Sequence, residues 1–324
     1  MAEREAQIAG FLQASGWGGA AARPLAGDAS ARRYLRLRLG DRGAVLMDAP
    51  PASGEDIRPF LRIGAHLRGL GLSAPEVLAA DPALGLALIE DLGDGLYARL
   101  AEADPAAEPP LYAAAADLLA ALHDHPPPAE LPAYAGPILG AQAALVVESY
   151  APRPEAAEDL AAAVTEACDR LAPGASVLML RDFHAENLFW LPARAGVARV
   201  GLIDFQDAMA GHPAYDLVSL LQDARRDVAP ETARATAARY AAATGETPEA
   251  LAAAMAALGA LRQLRILGVF ARLAARGRPE YLRFQPRVWR HLQAALAHPD
   301  LADLRALVTR LLHPPPTPPG EGAP

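Results

Sequence analysis

Two carboxylates and a side-chain amide are the groups in this chain best placed to do chemistry. They are embedded in Val177-Leu178-Met179-Leu180-Arg181-Asp182-Phe183-His184-Ala185-Glu186-Asn187-Leu188-Phe189-Trp190-Leu191 and in the segment that answers it, Val200-Gly201-Leu202-Ile203-Asp204-Phe205. In both, polar residues interrupt an otherwise apolar run, and polar groups bound for an interior need a partner or a use. A loop containing Pro192 and Gly196 separates the two, so the second segment reads as the return strand of an antiparallel hairpin. The residue just before the outbound strand and the residue just after the return strand of such a hairpin lie side by side, which brings Asn187 to Asp204. An amide oxygen beside a carboxylate suits magnesium, a hard cation that takes oxygen ligands and keeps positions for water and phosphate. Asp182, one loop away, is spaced to orient an acceptor hydroxyl and receive its proton.

The elements that must hold these groups fall into two parts. Residues 1–91 read as a helix followed by short strands, with Tyr34–Leu39 and Ala44–Met47 flanking Gly40-Asp41-Arg42-Gly43, a hairpin signal. A helical stretch over 55–70 comes next, then an extended segment over 75–79 and a strand over 86–89 that ends at Glu90-Asp91-Leu92-Gly93. Across 92–312 alanine and leucine recur at helical spacing, as in 111–123, 155–171, 231–243 and 248–276. The expectation is an α+β fold: a small N-terminal antiparallel sheet lobe with a helix over 1–91, and a larger, mainly helical lobe over 92–312. Residues 313–324, rich in proline and glycine, read as a disordered tail.

Composition narrows the partners. In 324 residues, 52% apolar and much of that alanine, there is enough chain to bury a core and a bias toward helix. A formal net charge of -8 opposes non-specific attraction to nucleic acid or an anionic membrane, leaving a small molecule as the expected partner. All 30 basic residues are arginine, so no Walker lysine, Schiff-base lysine or kinase strand lysine exists, and any nucleotide site works without one. Met1-Ala2-Glu3-Arg4 lacks the order of a signal peptide and no apolar run is expected to reach membrane-spanning length, which predicts a cytoplasmic protein. The single cysteine, Cys168, has no partner for an internal disulfide and no metal-ligand spacing, and reads as filler.

The order Arg181-Asp182, four residues, Asn187, and then Ile203-Asp204-Phe205 resembles the catalytic and metal-binding elements of kinase-like phosphotransferases. It is similar to the aminoglycoside phosphotransferase and choline kinase superfamily, and Arg181-Asp182-Phe183-His184 with Ile203-Asp204-Phe205-Gln206-Asp207-Ala208 looks like its cell-wall sugar kinase branch. Further resemblance lies in Gly27-Asp28-Ala29-Ser30-Ala31-Arg32-Arg33-Tyr34, in Val45-Leu46-Met47-Asp48-Ala49-Pro50-Pro51, in Glu90-Asp91-Leu92-Gly93 and in Tyr215-Asp216-Leu217-Val218-Ser219-Leu220. The resemblance implies a bilobal, protein-kinase-like fold with ATP between the lobes and Mg2+ as cofactor. It implies a sugar acceptor, for this branch the anomeric hydroxyl of N-acetylmuramate or N-acetylglucosamine in peptidoglycan recycling. Asp182 is then the catalytic base, Asn187 and Asp204 the metal ligands, Gly27, Asp28 and Ser30 a phosphate-covering turn, and Glu90 and Leu92 part of a hinge whose backbone binds adenine.

Two departures from the family pattern carry expectations of their own. Leu180 stands where many relatives have a histidine that braces the catalytic loop, so packing is expected to hold the loop. Met47 stands where the third strand usually carries a phosphate-holding lysine, and an arginine in the preceding loop is expected to compensate, Arg33 ahead of Arg32, with Glu55 starting a helix that braces it. Asp207 either contacts sugar hydroxyls or holds its loop. Arg225 and Arg226 either belong to a solvated helix face or meet an acidic sugar. His184 is expected to be structural, and Asp216 a helix cap or a brace on the catalytic loop. Two other readings stay open: a kinase of aminoglycosides, choline or other amino alcohols, and a catalytically silent nucleotide-binding protein.

Overall fold

The computed structural model describes residues 2–25 and 32–316. In chain order the elements are α1 (Ala2–Ala14), β1 (Ala21–Pro24), β2 (Arg33–Leu39), β3 (Arg42–Asp48), α2 (Arg58–Gly69), β4 (Val77–Asp81), β5 (Leu86–Ile89), α3 (Tyr97–Ala103), α4 (Glu108–His123), α5 (Pro137–Ser149) and α6 (Ala157–Leu171). They continue with β6 (Val177–Met179), β7 (Leu188–Trp190), β8 (Val200–Leu202), β9 (Met209–Gly211), α7 (Ala214–Leu221), α8 (Pro230–Thr244), α9 (Pro248–Ala275), α10 (Gln285–Leu296) and α11 (Ala302–Leu311). This is the expected α+β composition, an N-terminal antiparallel sheet followed by a helical C-terminal part. The chain forms two compact units, Met1–Arg99 with Asn187–Asp207, and Leu100–Glu186 with Ala208–Pro324.

In the first unit the five strands form one antiparallel sheet in the order β1-β2-β3-β5-β4. The register Leu39↔Arg42 closes β2 and β3 with the two-residue loop Gly40-Asp41, and Gly40 takes φ 59, a left-handed conformation that glycine adopts without steric penalty. Directly opposed residues share a face and successive residues alternate, so Arg33, Leu35 and Leu37 lie on one face with Asp48, Leu46 and Ala44. Tyr34 and Arg36 lie on the other, with Met47 and Val45. The first face is covered by α1, whose Ile8 and Phe11 form a core with Trp17, Leu37, Leu46, Leu86 and Leu88. Each fully buried leucine there contributes about 1.5–3 kcal/mol over an exposed one.

The second helix begins at Arg58 rather than at Glu55. Pro59 sits at its first turn, where a missing N–H costs nothing, and the Asp56 carboxylate accepts the Arg58 N–H at 2.9 Å. Glu55 therefore precedes the helix. The β7–β8 hairpin joins this unit through backbone bonds from Leu202 N–H to the Ser73 carbonyl (2.9 Å) and from Trp190 N–H to the Gly95 carbonyl (2.6 Å). Gly95 is required here, because a Cβ would stand 2.5 Å from the Trp190 carbonyl oxygen. Helix α2 meets the hairpin's end where Phe60 stacks on Phe205, ring centres 5.0 Å apart.

In the second unit α9 is the central helix, packed against α5, α6, α7 and α10, while α4 packs on α8. The expectation that no apolar run reaches membrane-spanning length is corrected by α9: its 28 residues pass by length and composition, yet 72% of its apolar window is buried inside the protein, as in a core helix. Cys168 is buried within α6, where burial pushes its thiol up to about 12. Two further short strands, β6 and β9, pair antiparallel from Val177↔Gly211 to Met179↔Met209, so the chain leaving β6 emerges beside the start of β9. Residues 313–316 carry neither helix nor strand, and the rest of the expected tail lies outside the described residues.

Candidate active site

The hairpin predicted from the sequence forms with the register Leu188↔Leu202, and Ile203 N–H donates to the Asn187 carbonyl at 3.1 Å. One residue beyond that bond the side chains meet: Asn187 Nδ2 lies 3.4 Å from Asp204 Oδ2, while Gln206 Nε2 donates to Asp204 Oδ1 at 2.7 Å. Asp204 has φ 60, a left-handed conformation that aspartate tolerates better than most residues. The donor set is one carboxylate and one amide that presents an oxygen when turned about its last bond. Among the described residues no group of three or more His, Cys, Asp or Glu gathers as an all-protein cage for a metal. Magnesium does not need one, since it binds through one or two carboxylates and completes its shell with water and phosphate oxygens.

Asp182 belongs to the second unit, in the turn that follows β6. Arg181, immediately before it, has φ 71 and is, with Asp204, one of two non-glycine residues at positive φ among those described. The turn is held by a carboxylate: Asp216, fully buried in the first turn of α7, accepts the backbone N–H groups of Leu180 at 2.6 Å and Arg181 at 2.8 Å. Burial raises the Asp216 carboxyl to about 7, against the lowering effect of those two bonds. From the same helix Ser219 Oγ donates to the Arg181 carbonyl at 3.2 Å, and the buried Arg262 of α9 donates to Ser219 Oγ at 2.9 Å. Where packing was expected to stand in for the missing histidine, the brace on this loop is thus polar, and of the two roles open to Asp216 it takes the brace. Ser219 and Arg262 were not singled out in the sequence. Nothing in α7's apolar spacing marks one serine as a loop contact, and Arg262 sits in an Ala/Leu-rich helix.

Residues 21–253 match the phosphotransferase enzyme family. The chain is 44% identical to the N-acetylmuramate/N-acetylglucosamine kinase of Caulobacter vibrioides over 95% of this chain and 96% of that one. The chain belongs to the phosphotransferase enzyme family. It is also 35% identical to the N-acetylmuramate/N-acetylglucosamine kinase of Pseudomonas aeruginosa, over 92% of this chain and 91% of the relative. The same fold is found in a choline kinase of Streptococcus pneumoniae, with a TM-score of 0.63 at 16% identity over 93% of this chain and 99% of that one.

The remaining residues expected of a phosphotransferase separate by unit. In the first, Gly27, Asp28 and Ser30 lie outside the described residues. Arg33 binds Asp48 through Nε at 2.9 Å and Nη2 at 2.5 Å, on the α1 face of the sheet, where Arg4 Nε holds the other carboxylate oxygen at 2.9 Å. Arg32 instead pairs with Glu55, Nε to Oε2 at 2.7 Å, both side chains largely buried. Glu90 is bonded to Arg194, and its N–H donates to the Glu76 carbonyl at 2.8 Å. Leu92 packs over Gly201 of the hairpin, and Asp207 is exposed.

In the second unit the run Gln222-Asp223-Ala224-Arg225-Arg226-Asp227 is not a solvated helix face. It is the irregular segment between α7 and α8. Arg225 Nε pairs with Glu186 at 3.0 Å, and its Nη1 lies 3.3 Å from His184 Nε2, two residues from Asp182. Arginine can only donate, so the His184 Nε2 accepts. Arg226 is structural, bonded to Tyr112 at 2.6 Å and to the buried Glu108 at 2.5 Å. Asp223, 1% exposed, caps the Arg225 N–H at 2.8 Å through Oδ1, while its buried Oδ2 has no hydrogen-bond partner. Asp223 was missed because a carboxylate in a charged run reads as surface; only the fold shows it buried.

Proposed function

We propose that this phosphotransferase moves the γ-phosphate of ATP to the anomeric hydroxyl of an amino sugar, N-acetylmuramate or N-acetylglucosamine, in the recycling of peptidoglycan. The observation that carries the phosphoryl-transfer reading is the Asn187–Asp204 pair at the end of the hairpin, together with the loop braced for Asp182. The acceptor follows from the names of the curated relatives, which match over nearly the whole chain.

Asn187 and Asp204 are the residues that would hold Mg2+, which when bound neutralises charge on phosphate oxygens. Asp182 accepts the proton of the acceptor hydroxyl as that oxygen bonds to phosphorus and ADP leaves. The double backbone bond to Asp216 fixes the turn carrying Asp182, so little reorganisation is needed when substrate arrives. Arg225, beside His184, is positioned to meet an acidic substituent such as the carboxylate of N-acetylmuramate, exchanging the 43% exposed Glu186 for it. The unpartnered Asp223 Oδ2 offers an acceptor for a sugar hydroxyl or amide N–H, and Asp207 is exposed for a further contact. The expected cytoplasmic location fits a reaction that consumes ATP.

The test is incubation of the purified protein with ATP, Mg2+ and each sugar, following ADP release and the product. Turnover on at least one sugar is expected, with a product that has lost its reducing end, and Asp182→Asn lowers kcat by about 10²–10⁴. Binding of ATP without turnover on either sugar would sink the acceptor assignment.

A further inference from the structure

We infer that Arg287 of α10 is a positioning residue for the acceptor: it bridges the backbone on either side of Arg225 and so sets how strongly an acidic sugar is recognised beside a neutral one. The inference rests on the acceptor reading above, in which Arg225 meets the acidic substituent.

The segment between α7 and α8 has no ladder or helix to fix it, so its shape depends on what its polar groups reach. Its four charged side chains divide. Asp223 accepts the Arg225 N–H at 2.8 Å, and Arg226 reaches Tyr112 and Glu108 of α4, where Glu108 also accepts the Ala229 N–H at 3.0 Å. Asp227 turns to α10. There Arg287 takes its carboxylate side-on, Nε to Oδ1 and Nη2 to Oδ2, both at 2.9 Å. Arg225 turns instead to Glu186 and His184, in the stretch that follows Asp182.

The third nitrogen of the Arg287 guanidinium reaches the backbone: Nη1 donates to the Ala224 carbonyl at 3.2 Å. One rigid planar group therefore ties the residue before Arg225 to the second residue after it, with the backbone of Arg225 held between. Arg287 also keeps the Asp227 carboxyl below its ordinary range, so the bridge is charged. The side chain of Arg287 is 23% exposed, whereas that of Arg290, which adds one bond to Asp227 at 2.9 Å, is 63% exposed and contributes little. All these residues belong to the second unit, with Asp182. A guanidinium moved out of line loses its charge-assisted bond to a carboxylate, and a neutral sugar has no such bond to lose.

The experiment is steady-state kinetics of the full-length protein, with ATP and Mg2+, on N-acetylmuramate and N-acetylglucosamine. Arg287→Met is expected to raise KM for N-acetylmuramate about 3- to 10-fold with kcat within about twofold, and to leave KM for N-acetylglucosamine near the parent value. In an Arg225→Gln background the same substitution should change nothing further, since the contact it positions is already gone. Asp227→Asn, a milder change, should shift KM in the same direction by less, and Arg290→Gln should leave both sugars as in the parent. Equal losses on the two sugars, or losses that add to those of Arg225→Gln, overturn the inference and mark Arg287 as a merely structural support. So does an unchanged KM for N-acetylmuramate in Arg287→Met or, should that variant not fold, in Asp227→Asn. Parent protein that turns over neither sugar or the neutral one alone, or whose preference survives Arg225→Gln, overturns the acceptor reading itself, a distinct outcome.

Discussion

Two turns among the described residues hold a non-glycine residue in the left-handed region, and they are secured in opposite ways. Asp204 (φ 60) closes a hairpin whose strands are neighbours in sequence; the ladder Leu188↔Leu202 and the Ile203–Asn187 bond fix it, and the nearby Gln206 side chain donates to its carboxylate. Arg181 (φ 71) precedes Asp182 in a turn fixed by a side chain from far along the chain, the buried carboxylate of Asp216. Each such conformation costs about 1–3 kcal/mol and persists only where its surroundings over-determine it. The contrast teaches that one proposed site residue depends on local strand pairing and the other on a desolvated carboxyl brought from a distance, so the two should respond differently to substitution.

The largest effect should come from Asp204→Asn. Asparagine tolerates φ 60 and keeps an oxygen, so folding should be nearly unchanged while kcat/KM falls by about 10²-fold or more with loss of the anion. Urea unfolding beside steady-state kinetics checks this; an equal loss of stability would place Asp204 with the braces. Asp216→Asn should behave the other way, because its amide can accept one of the two N–H groups but turns a donor toward the other. A loss of about 1–3 kcal/mol in unfolding free energy is expected, with slower turnover as a consequence.

A pH series sharpens the point. The Asp216 carboxyl lies at about 7 in the folded protein against an ordinary 3.8, so between those values the folded state binds more protons than the unfolded one. Stability owed to this carboxyl is complete below about 3.8 and declines as pH rises through about 7. The stability gap between parent and Asp216→Asn should therefore be wider at pH 5 than at pH 8 in urea unfolding. The smallest effect is reserved for Arg225→Gln, expected to lower kcat/KM for N-acetylmuramate about tenfold relative to N-acetylglucosamine through loss of one charge-assisted contact. An unchanged ratio of the two would remove Arg225 from acceptor recognition.

Much of this was legible along the chain. The Gly40-Asp41 hairpin, the strand over 86–89 and the juxtaposition of Asn187 with Asp204 follow from two-residue alternation and turn chemistry, which act between near neighbours. Long helices such as α9 were visible in alanine and leucine spacing, although its length and apolarity needed the packed structure to mark it as a core helix. Strand β1 was not anticipated, since Ala21-Ala22-Arg23-Pro24 is exposed along its length and carries no alternation. The charged run around Arg225 reads as a helix face and folds as an irregular segment that buries Asp223.

The sequence by itself determined the chemistry available: an arginine-only supply of positive charge, a carboxylate and an amide set to meet at a hairpin's end, and a further carboxylate in the loop before it. Residue type and short-range spacing are sufficient for that. Only the tertiary structure decided that of two identical neighbours Arg33 binds Asp48 on the α1 face while Arg32 pairs with Glu55, because that depends on the register of β2 against β3 and on what covers each face. Only it showed that Asp216 anchors the turn of Asp182, because a buried carboxylate is stabilised by N–H groups that the chain brings to it from a distance.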